Sequence, residues 1–120
     1  MKLWVDLGCP KSKIVVGIPT YGHTWTLSSN AKSPYPIGSP ATGPGVPGTL
    51  AYYEICQKVK SGAFTKVPGN NKTGPYAYGS NEWVGYDDPA SAKLKADYIL
   101  DQKLGGAMFW SLSQDDFRDK

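Results

Sequence analysis

Glu54 and Glu82 are the chain's only glutamates and His23 is its only histidine, so acid–base chemistry has few candidates. Hydrolytic enzymes of the common types need paired acids, or a nucleophile beside a base. Glu54 lies inside the helix-like stretch AYYEICQKVKSG and reads as a solvated or ion-paired residue, while Glu82, between Asn81 and Trp83, reads as a turn residue. His23 has no second His or Cys at ligand spacing, which argues against a metal centre. Neither Cys9 nor Cys56 is flanked by a histidine base, and PATGPGVPG lacks the lysine and the strand-to-helix setting of a phosphate loop. Asp115 and Asp116 are adjacent, and on an extended strand they would point to opposite sides rather than converge on one ligand. Loop capping or ion pairing is their expected role. What remains is an aromatic set, Tyr21, Trp25, Trp83 and Trp110. Rings near strand ends either fill the core or stack on the flat apolar faces of sugars, and the residues alone favour core packing.

The elements that would position these rings are legible as patterns. Residues 13–19, KIVVGIP, form a continuous β-branched run without polar alternation, the pattern of a strand buried on both faces in a parallel sheet. Residues 105–110, GGAMFW, are equally short and apolar. Between them, SAKLKADYILDQK (91–103) predicts an amphipathic helix with Leu94, Tyr98 and Leu100 on its apolar side. Strand, helix and strand make a crossover unit. Asp87-Asp88-Pro89 offers carboxylates and a proline where a helix N-terminus favours both. KLWVDLG, residues 2–8, predicts the tail of a further helix with Leu3, Trp4 and Leu7 on one side, its start expected to lie upstream.

Residues 24–90 have a different texture. HTWTL, TLAYYEIC, PYAYG and EWVGYDD are short, aromatic and separated by turn signals, as small antiparallel strands are, although the second fits a helix better. AYYEICQKVKSG predicts a helix, with Tyr52, Ile55 and Val59 at helical spacing and Gly62 as its stop. The glycines and prolines cluster in 34–75, so that stretch is expected to be loop-rich. A compact α+β insertion thus interrupts a βαβ unit. The 120 residues suffice for one core, and the net charge of +3 is scattered, without the basic run that nucleic acid or a membrane surface would favour. No apolar stretch reaches membrane-spanning length, and no signal-peptide core follows Met1. Asn71-Lys72-Thr73 is a glycosylation sequon consistent with secretion, and two cysteines allow a Cys9–Cys56 bond on arithmetic alone.

Taken together, KIVVGIPTYGHTWTL, SPATGPGVPGTLAYYEIC, NEWVGYDD and LGGAMFWSLSQDDF resemble the closing quarter of a family-18 glycoside hydrolase, the chitinases and chitinase-like lectins. The resemblance covers nearly the whole chain. It implies an α/β fold, a fragment of a (β/α)8 TIM barrel holding strand 7, helix 7 and strand 8, with an inserted α+β chitinase insertion domain. Residues 1–23 would be the end of a barrel helix plus strand 7, 24–90 the insertion domain, and 91–120 helix 7 and strand 8.

By the same resemblance, Trp110 is the floor beneath the sugar at the cleavage subsite, Met108 shares its inward face, and Tyr21 lines the same cleft. His23 stands where the family commonly has arginine, and the stretch between PGVPG and LAYYEIC is shorter than usual. The fourth-strand D-x-x-D-x-D-x-E motif with its acid glutamate, and the sixth-strand Tyr-Asp pair, do not occur in these residues. No catalytic residue, metal or cofactor is therefore expected here, and the chain alone is expected to be inactive. Its implied partner is chitin or a chito-oligosaccharide, and its implied location is extracellular. Cys56 resembles a cysteine whose partner lies a few residues past Phe117, which leaves Cys9–Cys56 as the alternative pairing. Three readings follow: part of an active chitinase, part of a catalytically inactive chitinase-like lectin or growth-factor relative, or an insertion that works alone as a small carbohydrate-binding or interaction module.

Overall fold

The computed structural model describes residues 1–118, which form α1 (Lys2–Asp6), β1 (Val15–Pro19), β2 (Tyr21–Leu27), β3 (Ala41–Ala51), α2 (Tyr52–Lys60), β4 (Thr65–Val67), β5 (Tyr76–Gly79), β6 (Glu82–Gly85), α3 (Pro89–Gln102) and β7 (Gly106–Trp110). Residues 119–120, the last of the expected 91–120 segment, lie outside the described residues. β1 and β7 pair in parallel, from Val15 opposite Gly106 to Pro19 opposite Trp110, and the connection between them runs through β2–β6 and α2 before α3 leads into β7. The helix begins two residues before the expected 91 because Asp88 caps it and Pro89 occupies its first position, where the missing N–H costs nothing.

The burial of this unit differs from the sequence expectation. Val16 and Ile18 are buried but Val15 is 54% exposed, so β1 is covered on one face, not two. The reason is the alternation of side chains: α3 packs on the Val16 and Ile18 side, while Val15, Gly17, Met108 and Trp110 share the other. Within α3 the buried apolar residue is Ile99, whereas Leu94, Tyr98 and Leu100, the expected inward stripe, are exposed. Leu3, Trp4 and Leu7 of the first helical segment are exposed as well.

The second sheet is antiparallel, in the order β3-β2-β6-β5-β4. α2 covers one face and closes the core of Leu50, Ile55, Phe64, Ala77, Val84 and Tyr86. Close packing there requires Gly22, since a Cβ at that position would stand 2.6 Å from Val84 and 3.0 Å from Ile55. Two elements escape sequence reasoning. The stretch ATGPGVPG, expected as loop, lies within β3; its prolines are tolerated because β3 is an edge strand, and because residues 45–48 bulge out of the ladder between the Trp25–Pro44 and His23–Thr49 pairs. The other is the three-residue β4. β2 runs through the expected 23/24 boundary: Tyr21, Gly22 and His23 already pair with Ala51, Leu50 and Thr49.

A half-buried ion cluster ties β4 of this sheet to the start of α3, the helix packed on the parallel pair. Asp88, 6% exposed, accepts a hydrogen bond from the Ser91 N–H and pairs with Lys66 of β4 at 2.8 Å. Asp87 accepts from the Ser91 hydroxyl and pairs with Lys95. Burial pushes the Asp88 carboxyl up, but the Lys66 ammonium and the Ser91 donors outweigh it and hold the carboxyl below the usual range.

Candidate functional site

The ends of β1 and β7 are tied together by one residue. The Thr20 N–H donates to the Trp110 carbonyl at 3.0 Å, its hydroxyl donates to the Ser111 carbonyl, and its own carbonyl accepts from the Tyr52 N–H at 2.9 Å. Thr20 thus fixes the exits of both parallel strands against the first residue of α2, and it is itself buried. Sequence reasoning passed over it, because a threonine between proline and tyrosine carries no pattern of its own.

This clamp sets the expected site residues. Trp110, opposite Pro19 at the carboxyl end of β7, is 65% exposed, and Met108 on the same face is 47% exposed. Tyr21 follows Thr20 directly, so it stands at the matching end of β1, half-buried. His23, exposed on the same face of β2, meets Tyr21 edge to face with ring centroids 5.6 Å apart. Tyr21 and His23 touch each other on the antiparallel sheet, while Met108, opposite Gly17 in mid-strand, and Trp110, at the strand end, share a face of the parallel one. The aromatic set does not go to the core as the residues alone suggested. Trp110 and Trp25 are exposed, and Trp83 is half-buried, its indole N–H donating to the Tyr35 carbonyl at 3.1 Å.

The carboxylates have structural tasks. Glu54, half-buried, accepts from the Ala51 N–H at 2.8 Å, supplying a helix-start hydrogen bond that the alanine N-cap has no side chain to reciprocate. Glu82 is the first residue of β6, not a turn residue, and lies 3.6 Å from Lys58. Asp115 accepts from the Asp116 N–H at 2.9 Å, just after a single 3-10 turn at Leu112–Gln114, so these two acids are not on a strand. Among the described residues no group of three His, Cys, Asp or Glu side chains is arranged to hold a metal, and no helix is long and apolar enough to cross a membrane. Cys9 and Cys56 are both free thiols, which overturns the Cys9–Cys56 pairing: one follows α1 and the other faces Tyr52 within α2. Burial pushes the Cys56 thiol up, and burial likewise raises the Tyr52 and Tyr86 hydroxyls, which stay protonated at neutral pH. The arrangement can bind through flat aromatic surface.

Comparison with known proteins gives this geometry a context. The model for glycosyl hydrolases family 18 matches residues 1–115. Human chitinase-3-like protein 2 is 44% identical over 98% of the chain. Among solved structures, the Group II chitinase catalytic domain 2 of Ostrinia furnacalis superposes with a TM-score of 0.91 at 35% identity over 99% of the chain. Human YKL-39, described as a pseudo-chitinase with retained chitooligosaccharide binding properties, superposes with a TM-score of 0.85 at 44% identity over 97% of the chain. The chain spans 30% of the length of the first of these, 33% of the second and 32% of the third.

Proposed function

This chain belongs to glycosyl hydrolase family 18, and from that premise we propose that it lines the saccharide groove of a secreted chitinase-type protein. β1 and β7 are then the seventh and eighth strands of a (β/α)8 barrel, α3 is the seventh helix, and the five-stranded sheet with α2 is the inserted α+β domain that walls the groove. Barrel sites gather at the carboxyl ends of the strands. The observation that carries the reading is the exposed Trp110 at that end of β7, clamped through Thr20 beside Tyr21. Trp110 would stack under a sugar ring, Met108 and Tyr21 would flank it, and His23 would replace a longer cation with an aromatic, shorter contact. The ligand class is chitin or a chito-oligosaccharide, the class bound by the neighbouring pseudo-chitinase.

Hydrolysis needs an acid of the D-x-x-D-x-D-x-E kind, and that motif does not occur in this chain; Glu54, Asp87 and Asp88 cap helices or form ion pairs, and Asp115 closes a turn with the Asp116 N–H. Incubation of the chain with 4-methylumbelliferyl chito-oligosaccharides should release no fluorophore above blank, and turnover would show an unrecognised acid. Trp110→Ala should weaken oligosaccharide binding by about 1–3 kcal/mol, the range for losing a ring from a binding site. Unchanged affinity would remove Trp110 from the site. The similarity to a pseudo-chitinase favours a second reading, in which the whole protein binds chito-oligosaccharides without cleaving them.

A further inference from the structure

Tyr21, His23 and Trp25 alternate along β2 and so share the sheet face opposite α2. Trp25 is 44% exposed and sits directly opposite Trp83 of β6. The environment of Trp83 differs from that of a loosely held surface ring. The Trp83 indole lies across Gly85, where a Cβ would stand 3.1 Å from it, and it stacks on the buried Tyr76 with centroids 5.1 Å apart at an interplanar angle of 22°. With its N–H held by the Tyr35 carbonyl, that ring is fixed before any ligand arrives. Beside the pair is a recess of about 210 Å³, lined also by Leu27, Gly38, Ser39 and Ala41. That is smaller than the roughly 300–1,000 Å³ of pockets that enclose a ligand, so it suits one flat face and not an enclosed molecule.

We propose that Trp25 and Trp83 form a second saccharide-stacking platform that takes the apolar face of a β-linked N-acetylglucosamine polymer beyond the point where Tyr21 and Trp110 hold it. The occupant follows from continuity: the platform lies on the same strand face as Tyr21 and His23, about 13 Å along β2 from Tyr21 at the usual strand rise. A single face therefore carries aromatic groups at two separated points with His23 between them, which matches an extended ligand better than a compact one. The preorganised Trp83 ring loses little conformational freedom on binding, and Trp25 beside it adds the exposed flat surface. The inference rests on the saccharide-binding reading, and its test separates the two.

The full 120-residue chain and its Trp25→Ala, Trp25→Phe and Trp110→Ala variants are tested for retention on chitin beads, for affinity to short and long chito-oligosaccharides, and for hydrodynamic size. Trp25 is exposed, so its removal should leave the fold intact, as circular dichroism would show. The expected result is about tenfold weaker binding of Trp25→Ala to beads and long oligomers, little change with short ones, and recovery in Trp25→Phe. Loss in Trp110→Ala with none in Trp25→Ala would overturn the platform and leave the groove reading standing. Loss in Trp25→Ala alone would support the platform and refute Trp110. No binding by the parent chain would overturn both, and a Trp25→Ala variant altered in hydrodynamic size but not in binding would overturn the platform in favour of self-association.

Discussion

Asp88 is the residue whose removal should report most sharply on how the two sheets are held together. Its carboxylate does two things: it caps α3 through the Ser91 N–H, and it pairs with Lys66 of β4. Losing an Asp N-cap costs about 0.5–2 kcal/mol, typically ~1. Breaking a fully buried ion pair costs about 3–5 kcal/mol, but an exposed one contributes only about 0–1. Here Asp88 is buried and the Lys66 side chain is 40% exposed, so the stranded ammonium can return to water and the cost should fall between, at about 1–2 kcal/mol. Asp88→Ala should therefore lose about 2–3 kcal/mol, and Asp88→Asn, which keeps a good cap but no charge, about 1–2 kcal/mol. Urea unfolding followed by circular dichroism would measure both from the midpoint at constant slope. The Asp88 carboxyl is held below its unfolded value of about 3.9, so its charge stabilises fully above that pH and ceases to do so as pH falls through the lower folded value. The gap between parent and Asp88→Asn should accordingly close in acid. If Asn matched the parent at pH 7, or if the gap persisted in acid, the ion pair would not be what joins the sheets. Equal losses in Asn and Ala would instead refute the cap.

Thr20→Val should cost about 1–2 kcal/mol by leaving the half-buried Ser111 carbonyl without its donor, whereas Thr20→Ser, keeping the hydroxyl, should cost less; urea unfolding would order the two, and acrylamide quenching would show Trp110 more mobile in the valine variant. Gly22→Ala should lose about 1–3 kcal/mol, because the added methyl would press on Val84, on Ile55 and on the Gly85 carbonyl at 2.8 Å. Gly43→Ala, with nothing within 4 Å of the new methyl, should stay within about 0.5 kcal/mol of the parent, and a loss as large as that of Gly22→Ala would discredit the steric explanation.

The parallel pair was legible because KIVVGIP and GGAMFW are short apolar runs flanking a helical pattern, and that arrangement has few solutions. Which face each strand buries was not legible, because a run without polar alternation says nothing about where the covering helix ends: α3 shelters Val16 and Ile18 and leaves Val15 open. β3 was hidden for the opposite reason. Its composition argues for loop, and only its place at a sheet edge, a tertiary fact, makes Pro44 and Pro47 acceptable within a strand. Among the rings, Trp25 and Tyr76 look alike in sequence, yet alternation along two strands and the covering of one by its neighbours leave the first in solvent and bury the second. Thr20 had no signal at all, since its importance lies in three hydrogen bonds to distant segments.

The bulge at residues 45–48 gives the fold a place to vary. Pairing is complete on either side of it, at Pro44 and at Thr49, and its outermost side chain, Val46, is 88% exposed. Lengthening such a stretch costs little, about 0.6 kcal/mol for each doubling of loop length, and the strands on both sides keep their register. Gly45 is buried against Thr24 and the Thr24 hydroxyl donates to the Pro47 carbonyl, so these two points hold the bulge to β2 and the exposed Val46 between them is where lineages, or protein engineers, could lengthen this edge of the molecule.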